Sequence, residues 1–255
     1  MVKSADRVIQ ILETIGNSEK GCTHKELSSV LNIPKSSLTS LLNTLVQRGY
    51  LASGTDNRRY NLGPQLLVLT GRFLSGLDLV RLGQPILNQL VVELDESAEI
   101  AIRRDYEILI ISSADCTRTI KRAIQLGERA PLYATAAGKA ILAFLPEDEI
   151  QHYLSSITMQ SITQHTITDP RILLPELKAI ANGEIAYCRK ELDEGIIAMA
   201  SPVFDIYGRV CASIVIPIPA IRFSAEKEKH VEKPLREAAA RLSYLLGFDS
   251  NPDKQ

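Results

Sequence analysis

Small polar side chains are concentrated on one side of a predicted helix near the N-terminus. At 100° per residue, the helix that follows Pro34 places them opposite a row of leucines. The polar positions are Ser36, Ser40, Asn43, Thr44 and Gln47. No Asp or Glu occurs between Pro34 and Gln47, whereas a solvated helix face usually favours Glu and Lys. Short hydrogen-bonding groups without negative charge can reach phosphates and base edges, so the pattern predicts contact with DNA.

The elements around this helix predict a helix-turn-helix. Ser4 is expected to cap a first helix, and Thr23 with Glu26 three residues later forms the capping box of a second helix. Pro34 suits the first turn of the third helix, where a missing N–H costs little. Gly49 is expected to end that helix.

A basic hairpin is predicted after the third helix. The turn at 53–57 separates two short strands, and the returning strand carries Arg58 and Arg59. Three helices followed by such a hairpin are typical of a winged helix-turn-helix. The alternatives are a helical bundle without a ligand and a protein-interaction module. The predicted DNA-contacting residues are Lys35, Ser36, Ser37, Ser40, Asn43, Thr44, Arg58 and Arg59.

The composition and the distribution of charge agree with an N-terminal DNA-binding domain followed by a larger domain. Of the 255 residues, 45% are hydrophobic, and no run of about 18 apolar residues suggests a membrane span. Residues 1–62 hold 8 Lys and Arg against 5 Asp and Glu, whereas the rest holds 21 against 25. The N-terminus has no apolar signal region. We therefore expect a cytoplasmic protein that binds no membrane.

Histidines and cysteines form no pattern of an enzyme or a metal site. The four histidines and four cysteines are scattered, without HExxH, CxxC or Ser/His/Asp spacing. Asp193 and Glu194 form a conceivable acid pair, and Cys188, Cys211 and His165 a conceivable metal sensor. We expect neither an enzyme, nor a cofactor, nor a bound metal.

Four motifs in order resemble the IclR family of bacterial transcriptional regulators. The similarity runs from about Ser4 to Leu246. The motifs are PKSSLTSLLNTLVQRGYL, ATAAGKAILAFLP, CRKELDEGIIAMASPVFDIYGRVCASIVI and IRFS. The resemblance implies a DNA-binding domain, a GAF-like effector-binding domain and dimers, with pairing into tetramers as a further possibility. It also implies regulation of catabolic genes, usually by repression and sometimes by activation.

The resulting fold class is α+β, with three parts. We predict a winged helix-turn-helix at 1–63, a linker helix at 64–78 and an α/β effector-binding domain at 79–249. The linker helix is apolar on more than one face, so we expect it to bury against a second subunit; packing on its own domain is the alternative. The predicted partners are double-stranded operator DNA, a small organic effector and a second copy of the chain.

The segment Thr135, Ala136, Ala137 and Gly138 is the first candidate for an effector site. Small residues at a helix start permit close approach of a ligand, although a tight loop-to-helix corner would need them equally. In the resembled family this loop lines the effector pocket. The segment is not a Walker loop, because a Ser or Thr after Lys139 is missing.

Further pocket positions follow from the resemblance. Family members that bind small carboxylates have an acid, a cysteine and two serines where this chain has Cys188, Ala198, Val215 and Pro217. These replacements predict an effector that is more apolar than glyoxylate or pyruvate, such as an aromatic compound or a short-chain acid.

Arg122 is the one remaining polar candidate. A strand is predicted at 118–126, on which Arg122 shares parity with Ile120 and Ile124 and would point inward. A buried arginine needs an anion, so a ligand carboxylate is one expected partner. A solvated edge strand is the alternative.

Overall fold

The chain forms two compact units with separate cores. The computed structural model describes residues 2–18, 20–54, 59–69, 79–122 and 125–249. The first unit comprises residues up to Leu77, and the second runs from Asp78 to Ser250.

The first unit contains three helices and a small antiparallel sheet. The helices are α1 (Lys3–Gly16), α2 (His24–Leu31) and α3 (Lys35–Gln47), and the strands are β1 (Cys22–Thr23), β2 (Leu51–Ser53) and β3 (Arg59–Leu62). The strand order is β1-β3-β2. Ile11, Leu27, Leu38 and Leu42 are fully buried between the three helices, which explains the apolar periodicity of each. A further helix, α4, is described over residues 64–69.

Most local expectations for this unit hold, with three differences. The capping box is confirmed: Thr23 Oγ1 accepts from the Glu26 N–H, and the Glu26 carboxylate accepts from the Thr23 N–H. The cap at Ser4 is wrong, because Val2 holds the N-cap position and Ser4 lies inside α1. Pro34 is the N-cap residue of α3 rather than part of its first turn. Strand β1 was not expected, since two residues give no periodicity.

The second unit is built on a six-stranded antiparallel sheet. Its strands are β4 (Ala98–Arg104), β5 (Glu107–Ala114), β6 (Arg129–Pro131), β7 (Ala186–Arg189), β8 (Ile196–Phe204) and β9 (Val210–Pro219), in the order β6-β5-β4-β9-β8-β7. Its helices are α5 (Leu79–Leu94), α6 (Ala136–Leu142), α7 (Glu147–Ser156), α8 (Pro170–Ala181) and α9 (Ala225–Leu245). Helices α5 and α9 pack on one face, and α6 packs on the other with α8 behind it.

The central strands alternate between these two faces. Val215 of β9 belongs to the core beneath α6, whereas Ile214 and Ile216, of opposite parity, are fully buried toward α5 and α9. Because both faces are covered, almost every position of β9 is apolar. The first unit has a helix-turn-helix and the second an antiparallel sheet with helices, so the chain is α+β as expected.

One predicted strand and one predicted helix start are wrong. Residues 118–122 form no strand; side-chain contacts hold this segment instead, including Arg118 to Asp95 and Arg222 to the Ile120 carbonyl. The strand of this region is β6, which pairs with β5. The sequence predicts a helix over about 174–182, and α8 starts about four residues earlier, because Asp169 accepts from the Arg171 N–H as its cap.

Helix α6 is held to the rest of the unit by a buried cation. The Lys139 side chain is fully buried, and its Nζ lies 2.9 Å from Glu176 Oε1 on α8 and 2.7 Å from Glu191 Oε1 beyond β7. Glu191 is also buried, and its Oε2 has no hydrogen-bond partner among the described residues. Removing the lysine would therefore leave a buried carboxylate without its counterion.

We expect Lys139→Met to destabilise the second unit by about 3 kcal/mol, because breaking a buried ion pair strands the remaining charge. Chemical denaturation of the full chain, followed by circular dichroism, measures the loss. Lys178→Met on the exposed side of α8 is the matched control and should cost little. Adding Glu191→Met to Lys139→Met should restore part of the stability. Equal stability of Lys139→Met and the control would contradict this assignment.

Candidate DNA interface and effector cavity

Helix α3 presents the polar face that its sequence predicts. Its leucines at 38, 42 and 45 are buried in the core of the first unit. The exposed positions are Lys35, Ser36, Thr39, Ser40, Asn43, Thr44 and Gln47, and Ser37 is half-buried. Thr39, which the sequence analysis did not select, lies on the same surface, and its hydroxyl is 3.0 Å from His24 Nε2. The exposed surface carries one positive charge and no acid from its own helix.

The hydroxyl groups on this surface are hydrogen-bonded to their own helix. Ser40 Oγ donates to the Ser36 carbonyl at 3.2 Å, and Thr44 Oγ1 donates to the Ser40 carbonyl at 3.0 Å. Thr39 Oγ1 makes the same bond to the Lys35 carbonyl at 2.8 Å. Each oxygen keeps lone pairs that face away from the helix. These bonds fix the rotamers, so the surface is organised before any partner arrives.

Arg59 of the hairpin is bound by groups of the first unit itself. Arg58 lies outside the described residues. Arg59 Nη1 donates to the Gly21 carbonyl at 2.8 Å and lies 3.2 Å from Glu26 Oε2. Arg59 therefore ties β3 to the start of α2, and a phosphate would compete with Glu26 for its guanidinium. The hydrogen bonds from Thr23 and the charge of Arg59 lower the pKa of Glu26, which keeps this partner ionised.

A cavity lies between the sheet of the second unit and the start of α6. It is lined by Glu99, Ile108, Arg122, Thr135, Ala136, Ala137, Cys188, Leu192, Asp193, Ile196, Ala198, Val215 and Pro217. The strand register explains why positions that are distant in sequence meet there. Glu99 pairs with Val215, and Ala198 pairs with both Pro217 and Cys188, which gives two adjacent rows across the sheet. The cavity volume is about 40 Å³.

Eight of the nine predicted effector residues line this one cavity, and Gly138 does not. A Cβ atom at Gly138 would lie 2.2 Å from the Leu132 carbonyl oxygen, so close backbone packing requires the glycine. Thr135 Oγ1 accepts from the Gly138 N–H at 3.0 Å and donates to the Pro131 carbonyl at 3.2 Å. The tight corner that the sequence analysis weighed against a ligand site therefore explains Gly138 and the Thr135 hydroxyl.

Arg122 points inward, but its counterions are protein carboxylates. Its side chain is 17% exposed, and Nη1 lies 3.2 Å from Glu99 Oε2 while Nη2 contacts Glu128 Oε1. The predicted inward orientation of Arg122 is observed, and a ligand carboxylate as a further partner stays a prediction. Ile124, whose parity supported that expectation, lies outside the described residues. Two carboxylates already neutralise the guanidinium.

Glu99 is the principal residue that sequence reasoning missed. It is almost fully buried, and burial raises its pKa to about 7, although the nearby Arg122 charge opposes this shift. The sequence feature that could have identified Glu99 is its position at the start of a strand whose other buried residues are apolar. The family resemblance implies a turn residue at Asp193 rather than half of an acid pair. Its Oδ1 accepts from the Gly195 N–H at 2.7 Å, and Asp193 also lines the cavity.

Cys188 remains a neutral thiol in this environment. Burial raises its pKa, and the charge of Glu191 acts in the same direction. Its Sγ donates to the Ala134 carbonyl at 3.2 Å. The thiol therefore contributes a small, weakly polar surface to the cavity rather than a nucleophile.

Family models cover most of the chain. A model described as the IclR helix-turn-helix domain matches residues 4–53, and the model of the C-terminal domain of bacterial transcriptional regulator IclR matches residues 71–244. The chain belongs to the IclR family. Its members are transcriptional regulators, and this IclR-family chain is a regulator rather than an enzyme.

Individual relatives agree with this assignment over nearly the full length. The chain is 31% identical to the HTH-type transcriptional regulator KdgR of Escherichia coli, covering 98% of this chain and 95% of KdgR. It is also 31% identical to the DNA-binding transcriptional repressor YiaJ of E. coli, covering 98% and 90%. The crystal structure of the Agobacterium tumefaciens repressor BlcR matches with a TM-score of 0.85 at 26% identity, covering 98% of this chain and 99% of BlcR.

The described parts of the chain contain neither a membrane-spanning helix nor a metal-binding cluster. Within those ranges no helix is both long and apolar enough to cross a bilayer. No group of three or more His, Cys, Asp or Glu side chains in the same ranges is arranged to hold a metal ion.

We expect Glu99→Gln to change how stability depends on pH. The folded pKa of Glu99, about 7, lies above its ordinary value of 4.5, so the wild type should lose stability relative to Glu99→Gln as the pH rises between these values. The loss should reach up to about 3 kcal/mol. Denaturation of both proteins at pH 5 and pH 8 measures it. Glu184→Gln, at an exposed site, is the control, and parallel pH curves for wild type and Glu99→Gln would refute the assignment.

Proposed function

We propose that this regulator represses a catabolic operon by binding its operator through α3, and that a small organic molecule in the cavity of the second unit controls that binding. The observation that carries the proposal is the acid-free, exposed polar face of α3 in a chain that also holds an internal cavity. Ser36, Ser40 and Asn43 are the proposed base-contacting residues, with Lys35 and Arg58 at phosphates or the minor groove. Arg59 is the third proposed phosphate or minor-groove contact, and Ser37 and Thr44 complete the proposed DNA-contacting set.

Repression is favoured over activation by the printed names of relatives. YiaJ, BlcR and the AllR protein of Klebsiella pneumoniae are each called repressors. Activation by the same type of DNA binding is the second candidate. A reporter gene under the upstream promoter distinguishes the two, since deletion of the regulator raises expression only in the case of repression.

The proposed effector is short and more apolar than glyoxylate or pyruvate. Apart from its charged groups, the cavity is lined mainly by alanine, isoleucine, leucine, valine and proline side chains. A cavity of roughly 150 Å³ is what a benzene ring occupies, whereas this one has about 40 Å³. The volume therefore favours a short chain over an aromatic compound.

A homodimer is the proposed DNA-binding form, with pairing of dimers into tetramers as an extension. The described part of α4 leaves Leu67, Val68 and Leu69 exposed, with Leu67 75% exposed. Such a surface in a single chain favours burial against a second copy. Two copies of α3 would then enter successive major grooves of a near-palindromic operator.

Effector control requires that the ligand bind one arrangement of the two DNA-binding units better than another. The linker that follows α3 and the hairpin is the proposed route. Only residues 64–69 of that linker are described, and residues 70–78 lie outside the described residues.

We expect the purified protein to bind its own upstream DNA selectively, with affinity that falls steeply as salt increases. Each phosphate contact releases counterions, so a protein with several such contacts loses orders of magnitude in affinity over a modest salt range. Fluorescence anisotropy with the upstream fragment and a scrambled fragment of equal length measures both properties. Equal, weak binding of both fragments would reject the proposal.

We expect Asn43→Ala to weaken operator binding about tenfold or more, because a lost amide contact to a base costs about 1–3 kcal/mol. Binding of scrambled DNA should change little. Ser29→Ala, at an exposed position of α2, is the matched control. An Asn43→Ala protein with wild-type operator affinity would show that this side chain contacts no base.

A further inference from the structure

Among the described residues that line the cavity, the cation is already bound by protein carboxylates, and this restricts the ligand. Arg122 is the one cation among the lining residues, and it is bound by Glu99 and Glu128. Glu99 and Asp193 themselves line the cavity. An entering carboxylate would therefore meet more protein carboxylates than cations, in a setting where screening by water is weak.

The side chains at the start of α6 provide no compensating full positive charge. The Thr135 hydroxyl, which lines the cavity, is already used by the Gly138 N–H and the Pro131 carbonyl. Lys139, the next cation on α6, is committed to Glu176 and Glu191 and does not line the cavity. No described lysine or arginine is therefore available at this site for a ligand anion without displacing a protein carboxylate.

Resting on the function proposed above, we propose that the cavity binds a small, uncharged, oxygen-bearing organic molecule, such as a short alcohol, aldehyde or ketone, in preference to a carboxylate. Glu99 is the specificity-determining residue. Its ionised carboxylate repels anions, and its carboxyl group provides a hydrogen-bonding partner for a ligand hydroxyl or carbonyl. The apolar remainder of the wall surrounds a volume of about 40 Å³, which suits a short carbon chain.

The ionisation of Glu99 agrees with this role. Burial raises its pKa to about 7, so both the acid and the carboxylate are present near neutral pH. The acid form donates to a carbonyl oxygen, and the carboxylate form accepts from a hydroxyl. A neutral molecule can therefore be bound in either state.

Matched pairs of probes with one carbon skeleton test the preference. The pairs are pyruvate with hydroxyacetone, lactate with 1,2-propanediol, and glycolate with ethylene glycol. Saturation-transfer NMR and calorimetry on the full chain compare the members at millimolar concentration. For at least one pair we expect the neutral member to bind about tenfold more tightly than its carboxylate, a difference of about 1.4 kcal/mol.

Two variants assign the preference to Glu99. Glu99→Gln removes the charge and should reduce the neutral-to-carboxylate affinity ratio about tenfold. Glu128 binds Arg122 but does not line the cavity. Glu128→Gln should change the ratio in the same direction, and it replaces Glu99→Gln as the test variant if Glu99→Gln fails to fold. Glu184→Gln is the control of equal charge change and should leave the ratio unchanged.

Three results would overturn the proposal: a carboxylate that binds at least as tightly as its neutral partner in every pair, no binding of any neutral probe, or an unchanged ratio in both cavity variants. Operator binding is measured on the same preparations. If the operator is bound and the ligand preference fails, only the ligand class is rejected. If the operator is not bound, the proposed function itself fails, whatever the probes show.

Discussion

The close contact of α6 with the antiparallel sheet is the constraint on which the second unit depends. Gly138 allows the helix backbone to lie against Leu132, and the buried Lys139 joins the same helix to α8 and to the segment after β7. The start of α6 thus holds three neighbouring segments in place: the turn at Leu132, helix α8 and the segment after β7. The cavity is the space that remains where this helix begins above the Val215 and Pro217 positions of β9.

The first unit presents its proposed DNA-contacting surface in a different way. The leucines of α3 fill the core, and the helix is oriented by them, whereas the polar side chains make no contact that the fold requires. Their hydrogen bonds to their own helix are local and add little to stability. Substitutions on this face can therefore alter recognition while the unit remains folded, which does not hold for the residues around Lys139.

Sequence alone predicted the elements whose signals are local or periodic. The capping box at Thr23 and the leucine periodicity of α3 are properties of neighbouring residues, and each lies close to where it was expected. The alternation of Ile120 and Arg122 was misleading, because side-chain ion pairs rather than a strand partner hold that segment. Such pairing links residues that are far apart in sequence and cannot be deduced from spacing.

The cavity also depends on contacts between residues that are far apart in sequence. Its small residues could be located through a resemblance, because a family pattern records positions. The role of Glu99 depends on register with Val215 and on the proximity of Arg122, and neither is visible in the strand itself. A glutamate at a strand start is usually solvated, and only the three-dimensional structure shows that it is buried.

If α3 enters the major groove as proposed, its internal hydrogen bonds also bear on the base sequence of the operator. A hydroxyl whose proton is held by a helix carbonyl presents only an acceptor to its surroundings, as at Ser40 and Thr44. In the major groove, the complementary donors are the amino groups of cytosine and adenine. The acceptors of guanine and thymine would instead require a donor, which the Asn43 amide provides. In the proposed docking, the face would therefore divide the bases by hydrogen-bond polarity, and half-sites rich in exposed amino groups would fit its serine and threonine positions.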